Sequence, residues 1–108
     1  MKKVAIIGAG ISGLFFGNLL KQDSDYEITI YEKNNFIKLE TGYGIQLSVN
    51  SIKLLNKIGF QSLNSLNKFN PKKIDFYSSL KKNKICDLDI SSFNTEEAKY
   101  TTMQRSSL

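Results

Sequence analysis

Between Val4 and Gly13 a short apolar run, Val4-Ala-Ile-Ile7, meets three glycines at fixed spacing, Gly8-Ala-Gly10-Ile-Ser12-Gly13, and an apolar segment of helical length follows. The apolar run reads as a strand buried on both faces, so the pattern is strand, tight turn, helix. Gly8 lets the chain turn sharply, Gly10 lets a ligand approach the backbone, and Gly13 lets the helix pack closely on the strand. The first-turn N–H groups and the positive end of the helix dipole then face outward together. The turn is therefore an expected anion site, and Ser12 lies within it.

Glu32 carries the second half of the signal. It stands 19 residues after Gly13, at the end of a second strand-like run, Glu27 to Tyr31. A carboxylate there accepts hydrogen bonds from the two ribose hydroxyls of an adenosine, and its charge repels a 2′-phosphate. The spacing favours FAD or NAD over NADP.

With 108 residues, 41% of them apolar, the chain has material for one small domain. Its formal charge of +5 comes from Lys scattered among Asn. The nearest approach to a basic patch is Lys68, Lys72, Lys73 with Lys81, Lys82, Lys84, which reads as solvated turns and strand edges, so no nucleic-acid partner is expected. There is one cysteine, Cys86, and no histidine. That excludes a disulfide framework and removes the commonest metal ligand and general base, so no metal site or catalytic side chain is expected. Cys86 lies in a strand-like stretch and is expected to be a small buried residue. Glycines interrupt the apolar stretch after Met1-Lys-Lys3, which argues against a secretory signal, and no run has the length to span a bilayer. A cytoplasmic location is the expectation.

Further along, the first helix is expected from Ile11 to Gln22, with Gly17 on the same face as Gly13, and Asp23-Ser-Asp25 as the connecting turn. Gly42 to Asn50 reads as a short strand or extended loop, with Ile45, Leu47 and Val49 alternating. Asn50 or Ser51 is expected to cap a second helix carrying Ile52, Leu54, Leu55 and Ile58, ended by Gly59 in the left-handed position. From Lys72 the period changes to two. Ile74 and Phe76, a turn over Leu80 to Lys84, and Ile85 to Ile90 make a hairpin that begins a second sheet. The stretch from Tyr100 to Leu108 reads as extended and about to enter a helix.

Taken together, Val4 to Leu14, Tyr31-Glu-Lys33, Gly42 to Ser51 with Leu55 and Ile58-Gly-Phe60, and Met103-Gln-Arg-Ser-Ser-Leu108 resemble the N-terminal part of FAD-dependent aromatic-ring monooxygenases. These are single-component flavoprotein hydroxylases, including hydroxybenzoate, salicylate and ubiquinone-pathway enzymes. The resemblance implies an α/β chain, with an incomplete Rossmann-like FAD-binding βαβ unit followed by the first hairpin of a substrate-domain sheet. It divides the chain into an FAD-binding portion (1–70), the start of the substrate-domain sheet (71–98) and a return segment (99–108).

By the same resemblance, Gly8, Gly10, Ser12 and Gly13 form the pyrophosphate turn and Glu32 is the ribose acid. Lys33 replaces a frequent Arg beside the adenosine, and Gln46 belongs to a segment passing near the flavin. Arg105 is the Arg that reaches the FAD phosphates, where a rigid guanidinium fork suits a diphosphate. NAD(P)H, O2 and a small aromatic substrate are implied as partners of the complete enzyme. Val49 departs from the family pattern, which commonly has Pro before the Asn. Length departs further: members are much longer and carry Asp-Gly and Gly-Asp motifs that this sequence lacks. A different FAD or NAD oxidoreductase, such as an amine oxidase or halogenase-like enzyme, and a non-catalytic nucleotide-binding remnant are the alternatives.

Overall fold

The computed structural model describes residues 1–37 and 42–108. Strand β1 (Lys2–Ile7), helix α1 (Ile11–Lys21) and strand β2 (Tyr26–Tyr31) form the expected βαβ unit. β1 and β2 pair in parallel, with Val4 opposite Ile28 and Ile6 opposite Ile30. The connection is the Asp23-Ser-Asp25 turn, in which Asp25 N–H donates to Asp23 Oδ1 at 3.0 Å. Gly17 is buried in α1, and a Cβ there would lie 3.1 Å from Ile30 Cδ1 and 3.5 Å from Ile6 Cδ1. Glycine thus sets the helix directly on the sheet.

The expectation that β1 is buried on both faces is not met. Ile6 and Ile30 face α1, but alternate residues point to the other side, where Ile7 is 83% and Tyr31 56% exposed. Side chains alternate across a strand, so one helix covers one face only. Among the described residues nothing packs over the second.

The main core lies beyond the βαβ unit. β3 (Gly44–Leu47), helix α2 (Val49–Leu55), β4 (Lys68–Phe69), the hairpin strands β5 (Lys73–Tyr77) and β6 (Lys84–Asp89), and β7 (Thr101–Gln104) follow in order. β7 lies between β3 and β4, antiparallel to both, so Met103 sits opposite Ile45 on one side and Lys68 on the other. Met103 joins Ile52, Leu55, Phe60 and Ala98 in a buried cluster, flanked by Phe15, Ile45, Val49 and Leu108 among others. Each large side chain removed from water in this way contributes about 1.5–3 kcal/mol. Lys68 closes one side, its Nζ 4.4 Å from the Phe60 ring centre and bonded to Phe60 O at 2.8 Å.

α2 begins earlier than expected. Ser48, extended at φ −71° and ψ 162°, is the cap in place of Asn50 or Ser51, and Val49 is the first helical residue instead of the last strand residue. Ile52 N–H donates to Ser48 O at 3.0 Å, which draws Val49 and Asn50 into the first turn. After Leu55 the chain tightens into a 3-10 turn, Asn56–Ile58, and stops at Gly59 with φ +96°, as expected.

The hairpin forms as read, with Ile74 opposite Leu88 and Phe76 opposite Cys86. One of its faces is charged. Asp75 and Asp87 sit opposite each other, and Lys84 Nζ lies 3.1 Å from Asp75 and 2.6 Å from Asp87, relieving a like-charge pair. Cys86 is exposed, contrary to expectation. It lies on the apolar hairpin face with Phe76 and Leu88, both also exposed, so alternation put it on the apolar side without burying it. The last residues make one 3-10 turn, Arg105–Ser107. The radius of gyration is 17.4 Å, against about 13 Å for a compact chain of this length. The chain is elongated, 57 × 33 × 24 Å.

Candidate dinucleotide site

The glycine turn has the shape its spacing requires. Gly8 adopts φ +99°, a conformation costly for any residue with a Cβ, while its N–H donates to Tyr31 O at 2.7 Å. The turn is thereby fastened to β2. Gly10 caps α1 in an extended conformation, and a Cβ on it would meet nothing within 4 Å. Gly13 is enclosed: a Cβ there would lie 2.1 Å from Gly8 O. Gly13 therefore serves helix packing, and Gly10 leaves open space at the helix mouth.

Leu14 N–H donates to Gly10 O at 2.9 Å, the first bond of the helical ladder. The N–H groups of Ile11, Ser12 and Gly13 precede that ladder and are the donors a helix leaves at its start. α1 has no acid in its first turn and Lys21 in its last, so its dipole favours an anion at the glycine end. Ser12 is exposed in that first turn.

Glu32, immediately after β2, returns to this turn. Its Oε2 accepts Ala9 N–H at 2.8 Å and its Oε1 accepts Asn34 N–H at 3.0 Å. Donation from Asn34, then Ala9, outweighs the opposing desolvation and holds the carboxyl below its usual range, with the adjacent Lys33 charge acting the same way. Two carboxylate oxygens offer about four lone-pair sites, so capacity remains for further donors such as hydroxyls. Lys33 itself is exposed. Among the described residues, no His, Cys, Asp or Glu cluster could hold a metal.

Two other expected residues lie on the β3–β7 pair. Gln46, in β3, accepts the Tyr100 hydroxyl on Oε1 at 2.8 Å, which leaves its amide N–H groups as donors. Arg105 follows β7, where its backbone N–H donates to Tyr43 O at 3.1 Å. Its side chain is exposed and, among the described residues, makes no ion pair. The turn after it ends at Leu108, which shares an apolar cleft with Ile11 and Leu14 of α1. The chain thus returns to the helix that carries the glycine turn.

Geometry ties Gly8, Gly10, Gly13 and Glu32 into one unit and places Gln46 on a neighbouring sheet, with Arg105 just beyond its strand β7. Sequence reasoning missed the Ala9 N–H as the partner of Glu32 and Tyr100 as the partner of Gln46. Neither leaves a local signal, because the contacts span 23 and 54 residues.

Residues 6–38 match the NAD(P)-binding Rossmann-like domain family. No curated protein matches the chain by sequence. Among solved structures, 2,6-dihydroxypyridine-3-hydroxylase from Arthrobacter nicotinovorans is similar over 97% of this chain, with 18% identity and a TM-score of 0.64. Klebsiella pneumoniae HpxO, solved in complex with FAD and uric acid, is similar over 97% at 20% identity and a TM-score of 0.70. The chain spans 24% and 26% of the length of those two proteins. The shared property is the fold: a Rossmann-like βαβ unit carrying antiparallel sheets, in the arrangement these two larger structures display.

Proposed function

We propose that the chain binds FAD, as the N-terminal part of a flavin-dependent monooxygenase acting on an aromatic or quinone-like small molecule with NAD(P)H and O2. One observation carries the cofactor reading: the Glu32 carboxylate is held against the glycine turn by Ala9 N–H, beside the open mouth of α1 at Gly10. A ribose acid and a diphosphate-binding helix start are thus joined in one rigid unit. FAD as the dinucleotide is supported by the fold shared with HpxO, which was solved with FAD and uric acid. Hydroxylation is supported by the fold shared with a dihydroxypyridine hydroxylase and by the motif resemblance.

In this reading the free N–H groups of α1 bind the pyrophosphate, and Gly8, Gly10, Ser12 and Gly13 shape that contact. Glu32 accepts the ribose hydroxyls, with Lys33 at the adenosine edge. Arg105 neutralises the diphosphate, and Gln46, oriented by Tyr100, faces the flavin side. The bound flavin supplies the redox chemistry, taking reducing equivalents from the nicotinamide and passing them to O2. Residues 1–70 form the cofactor portion, 71–98 begin a substrate-facing sheet, and 99–108 return; the pairing of β7 with β3 and β4 supports that division. A cytoplasmic location belongs to the same reading, resting on a single exposed thiol with no disulfide.

A second reading, NAD in place of FAD, is favoured by the family match over residues 6–38. Titration of the chain with FAD, followed by flavin fluorescence, and with NAD in competition, separates the two. Saturable quenching weakened by Glu32→Ala and by Arg105→Ala is the expected result. Failure to quench, or displacement of FAD by micromolar NAD, would overturn the FAD assignment.

A further inference from the structure

We infer that Gly42 is a positioning residue for Arg105: its missing side chain is the seat on which the arginine stem lies, and so it sets where the guanidinium is presented to a diphosphate. The inference rests on the FAD reading above. A Cβ on Gly42 would lie 3.2 Å from Arg105 Cβ, 3.4 Å from Cδ and 3.6 Å from Cγ. Three consecutive atoms of the arginine stem therefore cross the face of one glycine.

The backbone fixes the same juxtaposition. Gly44 pairs with Gln104 at the end of the β3–β7 ladder, and Arg105 N–H donates to Tyr43 O at 3.1 Å just beyond it. Gly42 and Arg105 are held together by this ladder end, whatever the side chain does. Among the described residues nothing competes for the cation, since Arg105 makes no ion pair with any of them. A fixed stem carrying an unpaired, permanently charged fork suits a diphosphate.

Backbone strain from Gly42→Ala would persist without the arginine, whereas an effect exerted through the arginine stem would vanish with it. The added methyl crowds Arg105 Cβ at 3.2 Å, which must give by a few tenths of an ångström, and the shift carries along the stem to the guanidinium. Gly42 acts through Arg105 and has no side chain of its own to offer a ligand.

A double-mutant cycle on FAD affinity tests this, using native chain, Gly42→Ala, Arg105→Ala and the double variant, each at low and high salt. Arg105→Ala is expected to weaken binding about tenfold or more, the range for losing a charged hydrogen bond. Gly42→Ala should weaken binding severalfold in the native background, flatten its salt dependence, and add no loss to Arg105→Ala. Equal loss in both backgrounds, or no loss in the native one, overturns the positioning role while FAD binding by the native chain stands. Native chain that fails to bind FAD overturns the cofactor reading and this inference with it. Were Gly42→Ala unable to fold, recovery on adding Arg105→Gly, which removes the Cβ 3.2 Å away along with the stem, would support the contact, and no recovery would overturn it.

Discussion

Replacing Gly13 by alanine should destabilise the βαβ unit far more than the same change at Gly17, although both glycines lie on the sheet-facing side of α1. At Gly13 the new Cβ falls 2.1 Å from Gly8 O, 3.2 Å from Ile6 Cγ2 and 3.3 Å from Gly8 C. Carbon and carbonyl oxygen ordinarily approach no closer than about 3.3 Å, so helix and turn must separate by roughly 1 Å. The obstacle is backbone, fixed by the bond from Gly8 N–H to Tyr31 O, and cannot rotate away. Overpacking costs about 1–3 kcal/mol, with this rigid case at the upper end, and alanine returns about 0.5–1 kcal/mol of helix propensity. The net loss is about 2 kcal/mol. At Gly17 the nearest atoms are side-chain ends, Ile30 Cδ1 at 3.1 Å and Ile6 Cδ1 at 3.5 Å, which shift readily. Propensity and crowding there offset each other to within about 1 kcal/mol. Urea unfolding followed by far-UV circular dichroism measures both. A Gly13→Ala chain as stable as native, or less damaged than Gly17→Ala, would refute the packing argument.

Three further outcomes are expected. Val49 is the first residue of α2 and Ser48 before it is already extended, so Val49→Pro should raise stability by about 0.4–1 kcal/mol, read as a higher melting temperature. A lower one would show that the Val49 N–H or side chain matters more than the backbone. Glu32 titrates below its ordinary 4.5, so its stabilising contribution is present above that value and is lost as pH falls through the lower folded pKa. Carboxyl NMR should find it below 4.5, and Glu32→Gln should remove that part of the acid dependence. Cys86 should react with a disulfide thiol reagent at the rate of a free thiol without unfolding, because it is exposed. Strong protection in the native chain would mean that the apolar hairpin face is covered.

Much of the candidate site's local geometry is legible in the sequence because its determinants are local. Three glycines within six residues specify the turn, a helical apolar period specifies α1, and a carboxylate at the end of the next strand needs only the strand length to be placed. Gly59, too, announced its left-handed position by following a helical stripe. The α2 cap falls two or three residues before the expected Asn50 or Ser51 because Ser48, Asn50 and Ser51 are all good capping residues, and the choice falls to the backbone bond from Ile52. Cys86 was placed on the apolar side of its strand by alternation, which says which residues share a face but not whether anything lies over it.

The amino-acid sequence alone therefore determined the strand-turn-helix-strand unit, its anion-ready helix start and the hairpin, since each depends on residues a few positions apart. Only the tertiary structure decided that β7 enters between β3 and β4, that Glu32 takes the Ala9 N–H, that Tyr100 holds Gln46, and that the Arg105 stem lies across Gly42. The physical reason is separation along the chain. These contacts join residues 23 to more than 50 positions apart, and their formation depends on the closure of intervening segments and on the shared burial of Met103 with Ile52, Leu55 and Phe60, which no local pattern encodes.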